Sequence, residues 1–555
     1  MGQEHPSRRQ VLLQGLGALS AMVALGRRAH AAPNPPIPPS PPRLLSDPVI
    51  RLASLGESEL VGGVPFAKRW FGDTFEGNAI PFHGCENCDD FPPPSESVDV
   101  AIVGGGLSGL ATAYQLRDRN TVLFELRPRM GGNAMGEAYG DQSWSLASAY
   151  FMQAKRGGPL ATLYDELGLP AQWRQDSGGF SFEYDGVVGS DLLGPDPSPA
   201  DKRALAAYRE AVLRFAGRDY PEIPFEGRAN AIITELDGRS FRGDLELRCG
   251  TLPPRLAYLL QAYCYSSLGV GFDELSAAAG WNFVAAEEFG RNVLPTGNAG
   301  LAQALWNQAR ARVRMRAGCT VAEVRLVDGG SHVFWRMSDA TRRTTFARHV
   351  VMANSKHIAR HVLPWLGAVD EPKLEAMHRV PTVAYIVANV VLSRPLARDF
   401  YDLYLGGGRA FPMDDNAFEQ HRVITDAVNA GFATSPSAGA ITLYWPLPWH
   451  TARFSIVNEE DWRTYAELAA PQILAKLGHF GLVPRDVTQV RLSRWGHAMP
   501  FAGPGTISSG LPQELRRPIG DRLWFANQDN WLLPAVETCL TEAMWVSAAV
   551  QSALG

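Results

Sequence analysis

The run Asp99-Val-Ala-Ile-Val-Gly104-Gly-Gly106-Leu-Ser-Gly109-Leu-Ala-Thr-Ala constrains this chain more than any other stretch. Asp99 to Val103 read as a buried parallel strand, with no polar side chain after the aspartate. Gly104, Gly106 and Gly109 then fit the spacing G-x-G-x-x-G, with Leu107 and Ser108 at the start of a helix. In such a turn the first glycine permits the sharp bend. The second lets the backbone approach a pyrophosphate, and the third lets the helix pack close to the strand. The helix N-terminus presents unpaired N–H groups and the positive end of its dipole to the phosphates.

A second strand, Asn120 to Glu125, ends on an acid about 20 residues after the first glycine, the distance at which an acid meets the ribose hydroxyls. An acid there favours the unphosphorylated ribose of FAD or NAD over that of NADP. The plainer alternative is a βαβ unit with a chance glycine pattern. The coincidence of strand, glycines, helix and acid argues against it.

The segment Glu125-Leu126-Arg-Pro-Arg129-Met-Gly131-Gly132-Asn133 resembles the R-x-G-G-R stretch of the flavin-containing amine oxidase superfamily. That superfamily includes the monoamine and polyamine oxidases, protoporphyrinogen oxidase and the phytoene desaturases. The resemblance implies FAD. It implies that Gly131 and Gly132 let the chain pass close to the flavin diphosphate and ribityl, and that Arg129 adds charge there. Asn133 stands where the family has a second arginine, so phosphate neutralisation is weaker than usual.

The far end of the chain is similar to the superfamily's closing motif. Arg522 to Ala526 reads as a strand, followed by Asn527-Gln-Asp529 and a final helix from Val536 and Glu537. The resemblance gives Asp529 a ribityl or diphosphate hydrogen bond. It sets the helix N-terminus, at Val536 and Glu537, against the flavin, where the dipole stabilises negative charge on the reduced ring. Asn527 replaces the usual glycine, and the acid comes one residue late. A weaker match lies between these ends: a glycine turn at Gly297–Gly300 into a helix, strands around Val321, and a strand from His349 to Asn354. In the family the residue at Val321 meets the adenine through its backbone, and Asn354 closes another strand of the cofactor domain.

The expected fold is α/β: a Rossmann-like FAD-binding domain of the two-dinucleotide-binding type, with an inserted α+β substrate domain. The FAD domain would comprise residues 98–150, 291–360 and 490–555, and the substrate domain 151–290 and 361–489. A chain of 555 residues has room for both. The insertions carry most of the aromatic residues, including Leu443-Tyr-Trp445-Pro-Leu-Pro-Trp449-His450. Trp495 and His497 immediately precede the closing motif. They are the candidate catalytic pair, Trp495 to flank substrate and His497 as base or orienter. Trp531, in the closing loop, is a similar candidate. For each, an ordinary core role is the plainer alternative.

Two absences bear on the chemistry. Amine oxidases of this type hold a lysine near flavin N5 in the second insertion, and this chain has no lysine between Lys373 and Lys476. No second strand–glycine–helix unit serves NAD(P)H, since Leu405-Gly-Gly-Gly-Arg409 lacks the flanking elements. Electrons are therefore expected to enter from a small organic substrate (an amine, an amino acid or an unsaturated hydrophobe) and to leave to oxygen or a quinone. A desaturase or isomerase of the same fold, and a non-catalytic scaffold, are the alternatives.

Residues 1–31 resemble a twin-arginine export signal. Arg8 and Arg9 precede an apolar segment too short for a stable span, and Ala29-His-Ala31 offers a small-residue cleavage site. The twin-arginine export machinery is thus an expected partner, and a periplasmic or secreted location is expected. That route carries folded proteins, which suits a chain that loads FAD first. Residues 32–97 read as a proline-rich spacer and an N-terminal extension, whose Trp70 and Phe71 could pack on the main body. Cys85 and Cys88 lack the histidine of a haem site and the further ligands of a zinc site. A local disulfide or free thiols is the plainer reading, with redox and metal roles behind it; no metal site is expected. Cys319 and Cys539 read as core residues, Cys539 with a covalent flavin link as its alternative. With a formal net charge of −5 and no basic stripe, nucleic acid is not an expected partner.

Overall fold

The computed structural model describes residues 46–73, 88–176, 181–397, 399–405 and 415–555. The expected export segment, the proline-rich stretch, Cys85 and Gly406 to Arg409 lie outside these residues.

Two sheets organise the chain. The first is seven-stranded, in the order Arg314–Arg316, Thr121–Phe124, Glu96–Val103, Arg342–Met352, Gly330–Met337, Cys319–Val327, with Leu523–Phe525 joined to Arg342–Met352. The strands around the glycine turn pair in parallel, while Cys319–Val327, Gly330–Met337 and Arg342–Met352 form an antiparallel layer. Glu96–Val103 is apolar on both faces because both are covered. Val100 and Ile102 pack under the helix Leu107–Gln115, with Leu110, Leu301 and Leu540. Ala101 and Val103 face the opposite core with Val350 and Trp335. The mixed α/β fold with a dinucleotide-type domain is as expected from the sequence.

The second sheet is nine-stranded, in the order Val187–Gly189, Ser181–Tyr184, Asp402–Leu405, Asp426–Asn429, Ala440–Pro446, Thr382–Leu392, Val487–Pro500, Val64–Gly72, Ser58–Val61. Every residue of its central strand Thr382–Leu392 is buried. Alternation divides that strand. Ile386, Ala388 and Val390 pack beneath the helix Trp462–Lys476, while Tyr385, Val387 and Val391 face the other way with Trp144 and Trp495. A group of helices, Pro199–Ala216 to Ala277–Ala286, packs around Trp281, with Pro254–Leu268 against Asp402–Leu405 and Ala440–Pro446.

One expected boundary is corrected. Position 490 falls inside the strand Val487–Pro500, which belongs to the nine-stranded sheet. The returning cofactor segment therefore begins after Pro500, and Trp495 and His497 are residues of the substrate sheet. Within the expected N-terminal extension, the stretch 46–73 packs on the main body. Val64–Gly72 pairs in parallel with Val487–Pro500, and Val49–Arg51 pairs with Gly136–Tyr139. Trp70 and Phe66 are buried beside Tyr465 and Ile386, burial that this chain segment supplies to a sheet edge that would otherwise be open.

Candidate active site

One cavity of about 1790 Å³ runs between the two sheets. Single-ligand pockets hold about 300–1,000 Å³, so this one has room for a dinucleotide and a substrate together. Its walls bring together Gly104, Gly106, Leu107, Ser108, Glu125, Leu126, Gly131, Gly132, Asn133, Val321, Asn354, Asp529, Val536, Glu537, Trp495 and His497. Residues more than 400 positions apart in sequence thus share one surface.

The glycine turn is built for close approach. Gly104 has φ +110°, and the Cα of Gly106 lies so near Gly132 that a Cβ on Gly132 would stand 2.9 Å from it. Glu125 Oε2 accepts from Gly105 N–H at 2.6 Å and Oε1 from Arg127 N–H at 2.8 Å. Each carboxylate oxygen retains a lone pair for a hydroxyl. The helix Leu107–Gln115 has no side-chain cap at Gly106, and Val536–Leu554 has none at Ala535. Both uncapped N-termini therefore reach the cavity with donors to spare. On the same wall Asn354 Oδ1 and Asn298 Oδ1 are buried without a partner among the described residues. Spare donors, orphaned acceptors and an acid with free lone pairs fit a bound dinucleotide.

Among the expected cofactor residues, Gly109 keeps only its expected packing role and Arg129 is corrected. Gly109 is not on the cavity wall; a Cβ there would meet the Gly104 carbonyl oxygen at 1.8 Å, so its role is to let helix and turn touch. Arg129 is turned away from the cavity, donating to Asp47 Oδ1 at 2.7 Å and to the Asp47 carbonyl at 3.2 Å. Arg127 takes the wall position instead. It pairs with Asp73, and its guanidinium lies 5.2 Å from the Trp495 ring centroid.

The Asn527 departure has a structural partner that sequence reading missed. Lys356, fully buried, donates from Nζ to Asn527 Oδ1 at 2.8 Å, and its backbone N–H donates to Asp529 Oδ2 at 2.7 Å. Asn527 Nδ2 in turn donates to the Asn354 carbonyl. Burial drops the Lys356 ammonium to about 8 against the pull of Asp529, and burial raises the Asp529 carboxyl against Lys356. Glu537 is also raised by burial, and its Oε1 accepts from Met152 N–H at 2.6 Å. Two cysteines expected in the core reach the wall: Cys319, pushed up to about 11, and Cys539, pushed up to about 12, both by burial. Such thiols stay protonated at neutral pH. Cys88 is buried in the short turn Cys88–Asp90.

Trp495 donates from Nε1 to the Leu146 carbonyl at 2.9 Å. His497 Nδ1 is hydrogen-bonded to Thr382 Oγ1 at 2.7 Å, and its ring stacks on His357 with centroids 3.7 Å apart. Burial, with Arg453, Arg360 and His361 nearby, drops His497 to about 3. A group so reluctant to hold a proton is a poor general base at neutral pH. Burial likewise drops His357 to about 2. Both rings thus stay neutral in the folded chain where the unfolded chain binds protons. Stability is therefore expected to fall as pH drops from about 6.5. Thermal melts from neutral pH to about pH 5 check this, and His357→Asn should flatten the slope.

The remaining wall carries Tyr150, Ser266, Tyr385, Asp426 and Tyr444. Tyr385 and Tyr444 donate to the carbonyls of Ser266 at 3.0 Å and Ala147 at 2.7 Å. Asp426 Oδ1 accepts from Thr425 Oγ1 at 2.9 Å. Behind this wall Arg291 donates to Glu287 at 2.6 Å and Asp402 at 2.7 Å. Burial first, then the Asp402 charge, raises Asp426 well above the usual carboxylate range. Trp445, Trp449, His450 and Trp531 do not line the cavity. Trp531, an expected candidate, is buried against Phe225 and donates to Glu542 at 2.7 Å, a core position.

The comparisons define the class. The family model for flavin-containing amine oxidoreductases matches residues 107–424, and the chain belongs to that family. It is 22% identical over 531 residues to the oxidoreductase PigB of Serratia sp. (strain ATCC 39006), covering 83% of this chain and 76% of that protein. Among solved structures it is similar to the cyclohexylamine oxidase of Brevibacterium oxydans IH-35A, with a TM-score of 0.60 at 17% identity over 82% of this chain and 99% of that one. It is similar also to a putrescine oxidase bound to putrescine, with a TM-score of 0.59 at 16% identity over 82% and 99%. The protein is an FAD oxidoreductase, and the cradle described above is where its cofactor fits.

Proposed function

We propose that this enzyme oxidises an amine bearing a large apolar body, with oxygen or a quinone as the final acceptor. The observation that carries the reading is the charge imbalance behind the tyrosine wall. Among the described residues, three acids with buried side chains, Glu287, Asp402 and Asp426, face one buried guanidinium there, that of Arg291. A substrate ammonium supplies the missing positive charge, and Tyr150, Tyr385 and Tyr444 supply polarisable faces around it. Bound FAD supplies a two-electron acceptor for the hydride on the carbon next to nitrogen. The chain's own part is to hold the nitrogen at Asp426, take its proton onto that carboxylate, and exclude water with the apolar walls. The amine loses one hydride and leaves as the iminium, which water hydrolyses.

The test is anaerobic mixing of purified yellow enzyme with a panel of amines and neutral alkenes. Apolar amines are expected to bleach the flavin. Asp426→Asn is expected to raise KM for amines about 10- to 100-fold, the worth of one charged hydrogen bond, with a smaller change in kcat. Bleaching by neutral unsaturated compounds alone would replace this reading by a desaturase. The lack of lysine between Lys373 and Lys476 favours that second reading.

Export by the twin-arginine route, with a periplasmic or secreted location, is part of the proposal and rests on Arg8, Arg9 and Ala29 to Ala31. Replacing both arginines by lysine should retain the protein in the cytoplasm with its N-terminus intact.

A further inference from the structure

Near the cavity, beside His497, lies a group of side chains that the flavin chemistry does not use. His357 and His497 stack, and His357 and His361 approach with centroids 5.6 Å apart. Arg360 reaches across them. Its terminal nitrogens lie 2.9 Å from His357 Nδ1 and 2.8 Å from His378 Nδ1, so both rings accept in their neutral form. Its Nε is buried without a partner among the described residues. Arg453 donates from Nε to the Gly496 carbonyl at 2.9 Å, and from one terminal nitrogen to Thr382 Oγ1 at 2.8 Å and to the Thr382 carbonyl at 3.0 Å. Thr382 Oγ1 is the atom that also holds His497.

The acceptors that these two guanidiniums meet are neutral: imidazole nitrogens, a hydroxyl and main-chain carbonyls. Among the described residues, neither makes an ion pair with a carboxylate. Asp73, which also approaches Gly496, is held by Arg127 and by the Gly496 N–H at 2.9 Å. Burial lowers both Arg360 and Arg453, and Arg360 adds to the lowering of Arg453. Two half-buried cations with no anion are costly, and guanidinium is the group best shaped to fork an oxyanion. The rings do not gather as metal ligands: among the described residues no three His, Cys, Asp or Glu side chains could hold a metal ion. Thr382 and His497 are themselves on the cavity wall, so the cluster borders the space a ligand enters.

We propose that Arg360 and Arg453, with Thr382 and the stacked pair His357 and His497, form a binding site for an oxyanion, either a carboxylate or a phosphate, at the edge of the active-site cavity. The anion replaces the missing counter-charge: Arg360 Nε and Arg453 donate to it, and the rings flank it. It arrives either as a free ion or as the anionic tail of a molecule lodged in the cavity.

The test uses the FAD-loaded enzyme at constant ionic strength. Inorganic phosphate replacing chloride should raise the melting temperature saturably, without changing the flavin spectrum. An Arg360→Gln/Arg453→Gln double variant, still yellow, should bind phosphate at least tenfold more weakly. Hexanoate distinguishes the two sources. If the tail arm holds, it competes with phosphate and perturbs the flavin absorbance; if the free-ion arm holds, it competes without doing so. Equal melting temperatures in phosphate and chloride, or equal phosphate responses in wild type and double variant, overturn the proposal. Should the double variant not fold, the ring resonances of His357 and His497 in the wild-type protein decide: saturable shifts with phosphate support the site, and none overturns it.

Discussion

Gly109→Ala is expected to give a colourless protein that does not take up FAD on reconstitution. The methyl group would lie 1.8 Å from the Gly104 carbonyl oxygen. The Cβ position is fixed by the backbone and the carbonyl belongs to the main chain, so no side-chain rotation relieves the overlap, and the helix Leu107–Gln115 must lift off its strand. That helix is locked on its other side by Val536–Leu554 and Asn298–Ala309. Overpacking of this kind costs about 1–3 kcal/mol even where neighbours can yield. Here the strain falls on the turn that holds the uncapped N–H groups. Gly104 is itself tied down, since its N–H donates to the Phe124 carbonyl at 2.8 Å. The effect should therefore appear in cofactor occupancy more than in secondary structure, read by flavin absorbance and circular dichroism of the same sample. Gly189→Ala, where a Cβ meets nothing within 4 Å, is the control and should remain yellow. Stoichiometric FAD in the Gly109→Ala protein would remove the packing argument.

What the sequence disclosed and what it concealed divide by range. The strand–turn–helix at Gly104 and the acid at Glu125 are local, with spacings set by backbone geometry, so they could be read directly. The closing helix at Val536 was legible for the same reason. Side-chain direction was not. Arg127 and Arg129 lie two residues apart on one loop, and only the presence of Asp47 and Asp73, from the N-terminal extension, decides which arginine faces the cavity. Lys356 was hidden because its partners Asn527 and Asp529 lie more than 170 residues away. A buried lysine soon after the strand ending at Met352 was the available signal, and it invited no reading without knowing what Asn527 faced. Strand order was equally hidden: the parallel pairing of Val64–Gly72 with Val487–Pro500 depends on a crossover spanning most of the chain. The boundary expected at position 490 is misplaced for that reason, since a strand adjoining a cofactor motif in sequence belongs to the other sheet in space. The acid excess around Asp426 emerges only when Glu287, Arg291 and Asp402 are brought together.

Arg491→Met is expected to destabilise the enzyme by about 3–5 kcal/mol, because it strands a buried carboxylate. Arg491 is 1% exposed and Glu137 2%. The guanidinium donates from Nε to Glu137 Oε2 and from a terminal nitrogen to Oε1, both at 2.7 Å. Its other terminal nitrogen donates to the Leu55 carbonyl at 3.0 Å and to Gln489 Oε1 at 2.8 Å, and it lies 3.9 Å from the Phe71 ring centroid. Trp144 Nε1 also donates to Glu137 Oε2, at 3.0 Å. The pair therefore joins the strand Val487–Pro500 to Gly136–Tyr139, the hairpin that follows the Gly131–Gly132 turn. Removing the cation leaves Glu137, among the described residues, with the Trp144 donor alone. Glu137→Gln should cost less than Arg491→Met does, since a neutral amide needs less compensation, although it leaves the arginine unpaired. The double variant should recover part of the single-variant loss, and a double-mutant cycle from urea unfolding measures the coupling. Purely additive losses would show that the two charges do not support one another. The consequence also extends to the site. Trp495 lies four residues along the same strand, against Arg127, so a loosened strand should release FAD faster from Arg491→Met protein even where it remains folded. A variant that is destabilised as expected but releases FAD at the wild-type rate would place the pair in the scaffold alone and separate the substrate sheet's stability from the cofactor's hold.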